Sequence, residues 1–158
     1  MKLKTKIAAV LTLTAVTGAA FAQQALKPEE MIKFRKAGYS FMSWNMGKIK
    51  AQVIDNPGSF NKDQVAAAAN SIAATANSGM GALYGPGTDK DVGNQKTRVK
   101  PEFFKEQDEV RKVAMAFAKE ANELQKVAAT GDIAAIKAQF GKTGETCKAC
   151  HDKFRKDD

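Results

Sequence analysis

The chain has 158 residues, 27% of them charged and 44% hydrophobic, and a formal net charge of +8. No block of basic residues is interleaved with aromatics, so this mild positive charge predicts no nucleic-acid binding. It fits orientation towards an acidic protein partner, or solubility alone. The length fits one compact domain after any targeting segment is removed.

The N-terminus has the pattern of a secretory signal peptide. Residues 1–6 carry three lysines and no acid, residues 7–16 are largely apolar, and residues 20–22 form a small-x-small cleavage site. The apolar stretch is too short to span a bilayer stably, although a retained membrane anchor is the alternative. We therefore predict that residues 1–22 are cleaved and that residues 23–158 form a single domain with no membrane insertion.

The first predicted helix runs from about Pro28 to Asp55. Pro28 suits the first helical position, and Glu29 and Glu30 complement the positive end of the helix dipole. Pro57 follows the helix and ends it. A stripe of side chains recurs every three or four residues along it. The stripe consists of Met31, Arg35, Tyr39, Met42, Met46, Ile49 and Val53.

The second predicted helix begins at Asn61, a good N-cap residue, with Gln64 placed to complete a capping box. Its body, residues 65–76, is unusually rich in alanine. Small side chains would let a neighbouring helix or a flat macrocycle come close, but high helix propensity alone explains the pattern equally well. Gly79 is expected to cap the C-terminus.

Residues 79–100 form one long irregular segment that contains five glycines and the turn-forming run Gly85-Pro86-Gly87-Thr88. Long loops in small domains usually have a function or are disordered. This one could cover the edge of a cofactor. It lacks the Gly-x-x-x-x-Gly-Lys-Ser/Thr pattern that cradles phosphates, so a nucleotide site has no support.

Two further helices are predicted, from Pro101 to about Ala129 and from an Asp132 cap to Phe154. Two glycines within the last helix predict a local bend or a close approach of the helix backbone to a flat group. They are Gly141 and Gly144. Two connections are short and one is long. The predicted fold is therefore all-α, an up-down-up-down (antiparallel) four-helix bundle.

The last helix carries Cys147-Lys148-Ala149-Cys150-His151, the Cys-x-x-Cys-His pattern that attaches c-type haem. Helix positions i, i+3 and i+4 share one face, so both thiols and the imidazole can reach one porphyrin. We predict one covalently bound haem c near the C-terminal helix, with thioethers from Cys147 and Cys150 and His151 as the axial iron ligand. Because c-type haem is attached outside the bacterial inner membrane, the motif also predicts a periplasmic location.

These features together resemble the cytochrome c′ family of high-spin class II c-type cytochromes, over essentially the whole mature chain. In class I cytochromes c the motif lies near the N-terminus with a methionine ligand downstream, whereas no methionine follows His151. The local matches are Lys27-Pro28-Glu29-Glu30 with Arg35, Tyr39 and Met42; Gly85-Pro86-Gly87-Thr88; and Cys147 to Arg155, with Phe154 in place of a frequent tyrosine.

The resemblance implies further site residues. It places Tyr39 over the distal face of the iron, where family members carry a bulky side chain that leaves the iron five-coordinate. It places Arg155 beside the ligand imidazole, and Lys36 where a polar residue often contacts haem. Arg35 faces inward in the predicted helix and would be costly unless paired, so a haem propionate is its expected partner. Family members are mostly homodimers, so we expect a homodimer here.

Two functions of this fold remain open. The first is electron transfer with binding of small gases, NO and CO, at a high-spin, five-coordinate haem. The alternative is a low-spin electron carrier whose sixth ligand is a methionine. The candidate ligands are Met31, Met42, Met46, Met80 and Met115. A second histidine ligand within the chain is excluded because the sequence contains only one histidine.

Other chemistries have less support. A peroxidase needs a distal acid–base group, usually a histidine, and the sole histidine is already assigned. We therefore expect a non-catalytic protein, although weak peroxidase or NO-reducing side activity is left open. The spacing of Cys147, Cys150 and His151 is too close for a usual zinc site. A thiol oxidoreductase motif would need a strand–helix setting, which this helical chain lacks.

Overall fold

The computed structural model describes residues 26–157, so the predicted signal peptide lies outside the described residues. The helices are α1 (Pro28–Lys50), α2 (Lys62–Ala76), α3 (Glu102–Lys105), α4 (Gln107–Thr130) and α5 (Ile133–Phe154). Short π and 3₁₀ turns complete the helical segments; these are Ala51–Asp55, Pro57–Ser59 and Met80–Leu83. Strand pairing within residues 26–157 is limited to two isolated bridges. None of the described helices is long and apolar enough to cross a membrane.

Helix α1 confirms the predicted first helix and continues into the π turn, which reaches the predicted end at Asp55. The Glu30 carboxylate accepts a hydrogen bond from the Lys27 N–H at 2.9 Å, which satisfies one of the free donors at the helix start. Sequence periodicity missed Ile32 and Asn45, which are both buried, whereas Tyr39 in the predicted stripe is 42% exposed.

Only one of the two hydrogen bonds predicted at the start of α2 is present. Asn61 accepts from the Gln64 N–H at 3.0 Å, but the Asn61 N–H donates to Gln52 Oε1 rather than to Gln64. The predicted capping box is therefore wrong, because the Asn61 N–H is bound by Gln52 of the preceding π turn and not by Gln64. This contact ties the start of α2 to the end of α1. Gly79 does adopt a left-handed conformation, with φ +82°, but Asn77 is the C-cap residue.

The single helix predicted from Pro101 is wrong, because the helix is interrupted at Glu106, with φ −101° and ψ 55°. Phe103 lies in α3 and stacks on Tyr84, with 4.1 Å between ring centroids. The Gln107 side-chain amide donates to the Phe103 carbonyl at 2.7 Å and so satisfies a group that the break leaves free. The helix break therefore coincides with the stacking of Phe103 on Tyr84 and with the hydrogen bond from Gln107. Gly131 ends α4 with φ +82°.

The four long helices form the predicted up-down-up-down bundle, in which α2 packs on α1 and α4, and α4 packs on α5. Ten residues constitute the apolar core: Ile49, Val53, Val65, Ala68, Ala69, Ile72, Ala121, Leu124, Ala128 and Ile136. Two of the α2 alanines are fully buried here, so small side chains do serve close packing between helices.

Helix α5 runs without interruption through Gly141 and Gly144. A Cβ atom added at either glycine would meet nothing within 4 Å. Neither glycine is therefore required by a close approach of other described protein atoms, and the bend or the approach to a porphyrin stays a prediction.

Candidate haem site

The two motif cysteines lie on the inward side of α5. The face that contains them begins with Thr143, which is fully buried, and ends with Phe154, which is 3% exposed. Both thiols are partly buried and neither is in a disulfide. Burial raises the pKa of Cys147 and Cys150 above the usual thiol value. The helical spacing therefore presents two neutral thiols side by side, as the sequence predicts.

His151 is more exposed than the thiols and lies on the next position of the helix. Its pKa is lowered, first by desolvation and then by the cations of Arg155 and Arg98. Arg155 itself is the first residue after α5, and its N–H donates to the His151 carbonyl at 2.9 Å. The role of Arg155 beside an iron-bound imidazole stays a prediction. A neutral imidazole keeps a nitrogen lone pair available for iron.

The end of α5 is joined to the long loop by backbone hydrogen bonds. The Lys100 N–H donates to the Phe154 carbonyl at 2.8 Å, and the Lys156 N–H donates to the Arg98 carbonyl at 2.7 Å. These bonds form a short antiparallel pairing around Val99 and Arg155. The loop therefore fixes the helix immediately after the haem-attachment motif.

Upstream of the motif, polar side chains fix α5 against α4. Gln139 is 5% exposed and donates to the Glu120 carboxylate at 2.7 Å and to the Glu120 carbonyl at 3.1 Å. The Thr143 hydroxyl also lies within 3.2 Å of that carbonyl. Because a buried polar group is costly without a partner, these bonds favour one register of α5 against α4.

Arg35 is only 2% exposed, which confirms that it faces inward. Its guanidinium donates to the carbonyls of Leu83 and Thr88, at 3.3 and 2.7 Å, and to Thr97 Oγ1 at 2.7 Å. It also lies 4.6 Å from the centroid of the Tyr84 ring. All these partners are neutral, so dipoles and not an anionic side chain solvate the buried positive charge. The haem propionate predicted as its partner stays a prediction.

Tyr39 lies on α1, and its hydroxyl accepts a hydrogen bond from the Tyr84 hydroxyl at 3.1 Å. Burial of this hydroxyl raises the pKa of Tyr39; the bond from Tyr84 opposes the rise, and the nearby Cys150 and Cys147 add to it. The structure thus brings Tyr39 into the electrostatic range of both motif cysteines. Lys36, by contrast, is exposed on α1.

Tyr84 and a group of phenylalanines form an aromatic cluster that sequence reasoning missed. Phe103 stacks on Tyr84 and meets Phe154 edge-on at 5.6 Å, and Phe104 lies 5.5 Å from Phe103. An aromatic residue immediately before the turn run 85–88 was the available signal. It was ambiguous because an aromatic side chain in a glycine-rich loop can also face solvent.

The candidate methionine ligands occupy different environments. Met42 is 6% exposed, whereas Met115 is 65% exposed on α4. A Cβ added at Gly38 would lie 2.9 Å from the Met80 sulfur, so Met80 packs against α1. The Met31 sulfur packs in the same way against Gly85 in the loop. The Met46 side chain packs on the apolar core.

The donor set fits a covalently held haem. Two thiols that are in no disulfide and one imidazole share one end of α5, and the Tyr39 phenol of α1 lies within electrostatic range of the thiols. Within residues 26–157, no group of three or more His, Cys, Asp or Glu side chains is arranged to hold a bare metal ion. Two thiols and one imidazole fit thioether attachment with a single protein ligand to iron.

Comparison with known proteins agrees with this geometry. The family model described as cytochrome C′ matches residues 30–155. Cytochrome c′ of Allochromatium vinosum is 61% identical over 130 residues, which cover 82% of each chain. A cytochrome c′ structure solved at 1.8 Å resolution is 60% identical with a TM-score of 0.80, covering 84% of this chain and 98% of that one. A ferrous variant of cytochrome c′ from Alcaligenes xylosoxidans is 26% identical with a TM-score of 0.72, covering 84% and 98%.

Proposed function

Because the chain belongs to the cytochrome c′ family and is therefore a c-type haem protein, we propose that it is a periplasmic electron carrier that also binds NO and CO at five-coordinate, high-spin iron. The observation that carries this proposal is that Cys147 and Cys150, which are in no disulfide, lie on one face of α5 beside His151. The only histidine of the sequence lies in the motif itself.

Cys147 and Cys150 would hold the haem through thioether bonds, and His151 would supply the one protein ligand to iron. The haem, when bound, provides an iron centre that exchanges one electron and coordinates small ligands. Desolvation, and after it the cations of Arg155 and Arg98, lower the pKa of His151, which favours a neutral imidazole with a free nitrogen lone pair. Arg35 would stabilise a propionate, because its positive charge is buried among neutral oxygens.

On the distal side, Tyr39 would obstruct water and bulky ligands while admitting diatomic molecules. A neutral phenol binds iron poorly, and burial raises the pKa of Tyr39, which keeps it protonated. The relative from Alcaligenes xylosoxidans carries bound NO in its ferrous form, which supports gas binding as a family property. With no second histidine to act as a distal acid–base group, we propose a non-catalytic role.

The optical spectrum of the exported protein, ferric and ferrous, before and after CO, tests this function. We expect a broad high-spin ferrous Soret band that sharpens with CO. Sharp low-spin bands that CO leaves unchanged would contradict the proposal and favour a methionine ligand. Single replacement of Met31, Met42 or Met46 by leucine would then identify the ligand, since only its loss should convert the spectrum to high spin. Absence of haem after export with working maturation machinery would contradict both functions.

We also propose that the protein is a homodimer that pairs through an exposed aromatic surface on α1. This surface consists of Phe34, Phe41 and Trp44, which are 47%, 48% and 59% exposed. Phe41 and Trp44 stack with 5.8 Å between centroids. Exposed apolar patches on soluble proteins often mark interfaces. The solved relative that is 60% identical is described as having an unusual ligand-controlled dimer dissociation.

Sedimentation velocity of the haem-loaded protein tests the dimer. We expect Phe41→Glu to produce monomers at concentrations where the unmodified protein is dimeric, because a charge would be buried at the interface. Met115→Glu is the matched control, since Met115 is an exposed apolar residue on α4. Dissociation by the control but not by Phe41→Glu would place the interface elsewhere.

A further inference from the structure

Tyr84 contacts Tyr39 from the long loop and has no part in the function proposed above. Its hydroxyl donates to the Tyr39 hydroxyl at 3.1 Å, although the two residues are 45 positions apart. They are the only tyrosines of the sequence. The contact joins the loop to α1 at the residue proposed above to lie on the distal side of the haem.

The ring of Tyr84 is held on both faces. Phe103 stacks on it with centroids 4.1 Å apart, and the Arg35 guanidinium lies 4.6 Å from the same centroid. Two groups this close to one ring centroid must occupy opposite faces. Arg35 is itself anchored to the carbonyls of Leu83 and Thr88. The Tyr84 hydroxyl therefore has a defined position, since the ring can neither swing nor tilt without breaking these contacts.

The direction of the hydrogen bond matters for chemistry. Tyr84 donates and Tyr39 accepts, so the Tyr39 proton is free to be donated to another group. Accepting one hydrogen bond polarises a hydroxyl and strengthens the bond that it donates. The Tyr39 proton is therefore the one that this pair of hydroxyls can offer to a third group.

We propose that Tyr84 is a positioning residue that fixes the Tyr39 hydroxyl and strengthens it as a hydrogen-bond donor to a diatomic ligand on the haem iron. This inference rests on the proposed gas-binding function. A hydrogen bond to the outer atom of bound CO or NO stabilises the negative charge that ferrous iron transfers to the ligand. Tyr84 thereby acts on ligand affinity through Tyr39, without touching the ligand.

The test is a double-mutant cycle in the haem-loaded ferrous protein, with Tyr84→Phe, Tyr39→Phe and the double variant. Tyr84→Phe keeps the stacked ring and removes only the hydroxyl. We expect it to raise the C–O stretching frequency and to weaken CO binding roughly two- to fivefold, within the range for loss of a neutral hydrogen bond. Tyr39→Phe should shift both quantities further in the same direction. The double variant should match Tyr39→Phe alone, because Tyr84 acts only through Tyr39.

Two results would overturn the proposal. In the first, Tyr84→Phe leaves the C–O stretch unchanged or shifts it equally with and without the Tyr39 hydroxyl. In the second, the packing control Phe104→Leu shifts the stretch as much as Tyr84→Phe does. Phe104 lies 6.4 Å from the Tyr84 ring and carries no hydroxyl, so its replacement perturbs packing without removing the hydrogen bond.

A second readout separates this inference from the proposed function. Failure to bind CO would contradict the gas-binding function while leaving the hydrogen bond measurable in the ligand-free protein. Ultraviolet resonance Raman spectra are measured for the unmodified protein and its three variants. Subtracting the spectrum of each protein that carries Tyr39→Phe from that of its counterpart with Tyr39 isolates the Tyr39 bands, once with and once without the Tyr84 hydroxyl. We expect the hydrogen-bond-sensitive tyrosine doublet of Tyr39 to change when Tyr84 becomes Phe. An unchanged doublet would refute the positioning role whatever the protein binds.

Discussion

The two ends of the bundle are stabilised by different forces. At one end the apolar core brings together ten aliphatic side chains from α1, its π turn, α2, α4 and α5. At the other end lies the motif region, which we define as Arg35, Tyr39, Tyr84, Phe103 and residues 147–155. There a guanidinium, two phenols and an aromatic cluster pack with an irregular loop.

This difference indicates that one end of the bundle mainly determines stability and that the other end mainly serves function. Burial of aliphatic surface is non-directional and needs only helices with apolar faces. The motif region depends on directional bonds between distant residues, since the partners of Arg35 lie 48 to 62 positions away. A polar, partly exposed region costs stability but can hold a cofactor and its ligand. We therefore expect substitutions at the two ends to have separable effects.

The largest expected effect comes from Cys147→Ser combined with Cys150→Ser. Without the thiols, no thioether bonds form, and haem staining of a denaturing gel should be lost completely. Helical circular dichroism should largely persist, because the apolar core contains no atom of the motif. Loss of helical structure together with the haem would contradict the separation of the two ends. Retention of haem on the denaturing gel would contradict the attachment itself.

At the other end, Leu124→Ala should reduce the free energy of unfolding by about 2–5 kcal/mol, the range for a buried leucine. Leu124 is fully buried in the apolar core. Chemical denaturation measures the loss, and the ferrous spectrum should not change. Met115→Ala on the same helix is the control and should stay within about 0.5 kcal/mol, since Met115 is exposed. A changed haem spectrum in Leu124→Ala would show that the two ends are coupled.

Arg35→Met tests whether the motif region is held together locally. The substitution leaves the Leu83 and Thr88 carbonyls and Thr97 Oγ1 without their donor, so we expect a loss of about 1–3 kcal/mol. Amide hydrogen exchange should accelerate in residues 85–100 more than in α2. Lys36→Met, at the exposed neighbouring position, should leave exchange unchanged. Uniform acceleration across the bundle would contradict a local role.

The smallest expected effect is that of Asn61→Ala, which should cost about 1 kcal/mol in denaturation experiments because α2 loses its side-chain cap. Asn70→Ala, at an exposed position within the same helix, should be neutral or slightly stabilising because alanine has the higher helix propensity. The haem spectrum should not change in either variant. Equal losses in both variants would show that capping does not account for the effect.

Sequence reasoning succeeded where a contact is local. The bounds of α2 and α5 and the caps at Asn61 and Asp132 follow from residues within one or two turns. It failed where a distant residue intervenes. Gln52 replaces Gln64 in the capping box, and the predicted third helix breaks beside Phe103, which packs on the loop.

The candidate site shows the same division. The motif placed Cys147 and Cys150 on one helical face with no need of tertiary contacts, and the inward direction of Arg35 followed from helical periodicity. Periodicity could not identify Tyr84, because the conformation of a glycine-rich loop is set by what the loop packs against. Nor could it supply the neutral partners of Arg35, which come from that loop.

By itself, the sequence determined four helices, their order and the chemistry of the last one, because helical periodicity, capping and the Cys-x-x-Cys-His spacing are all local properties. The tertiary structure decided what faces that chemistry. Arg35, Tyr39 and Tyr84 are brought together only when α1 and the loop pack against the end of α5, and the hydrogen bonds that orient them have no counterpart in any short stretch of sequence.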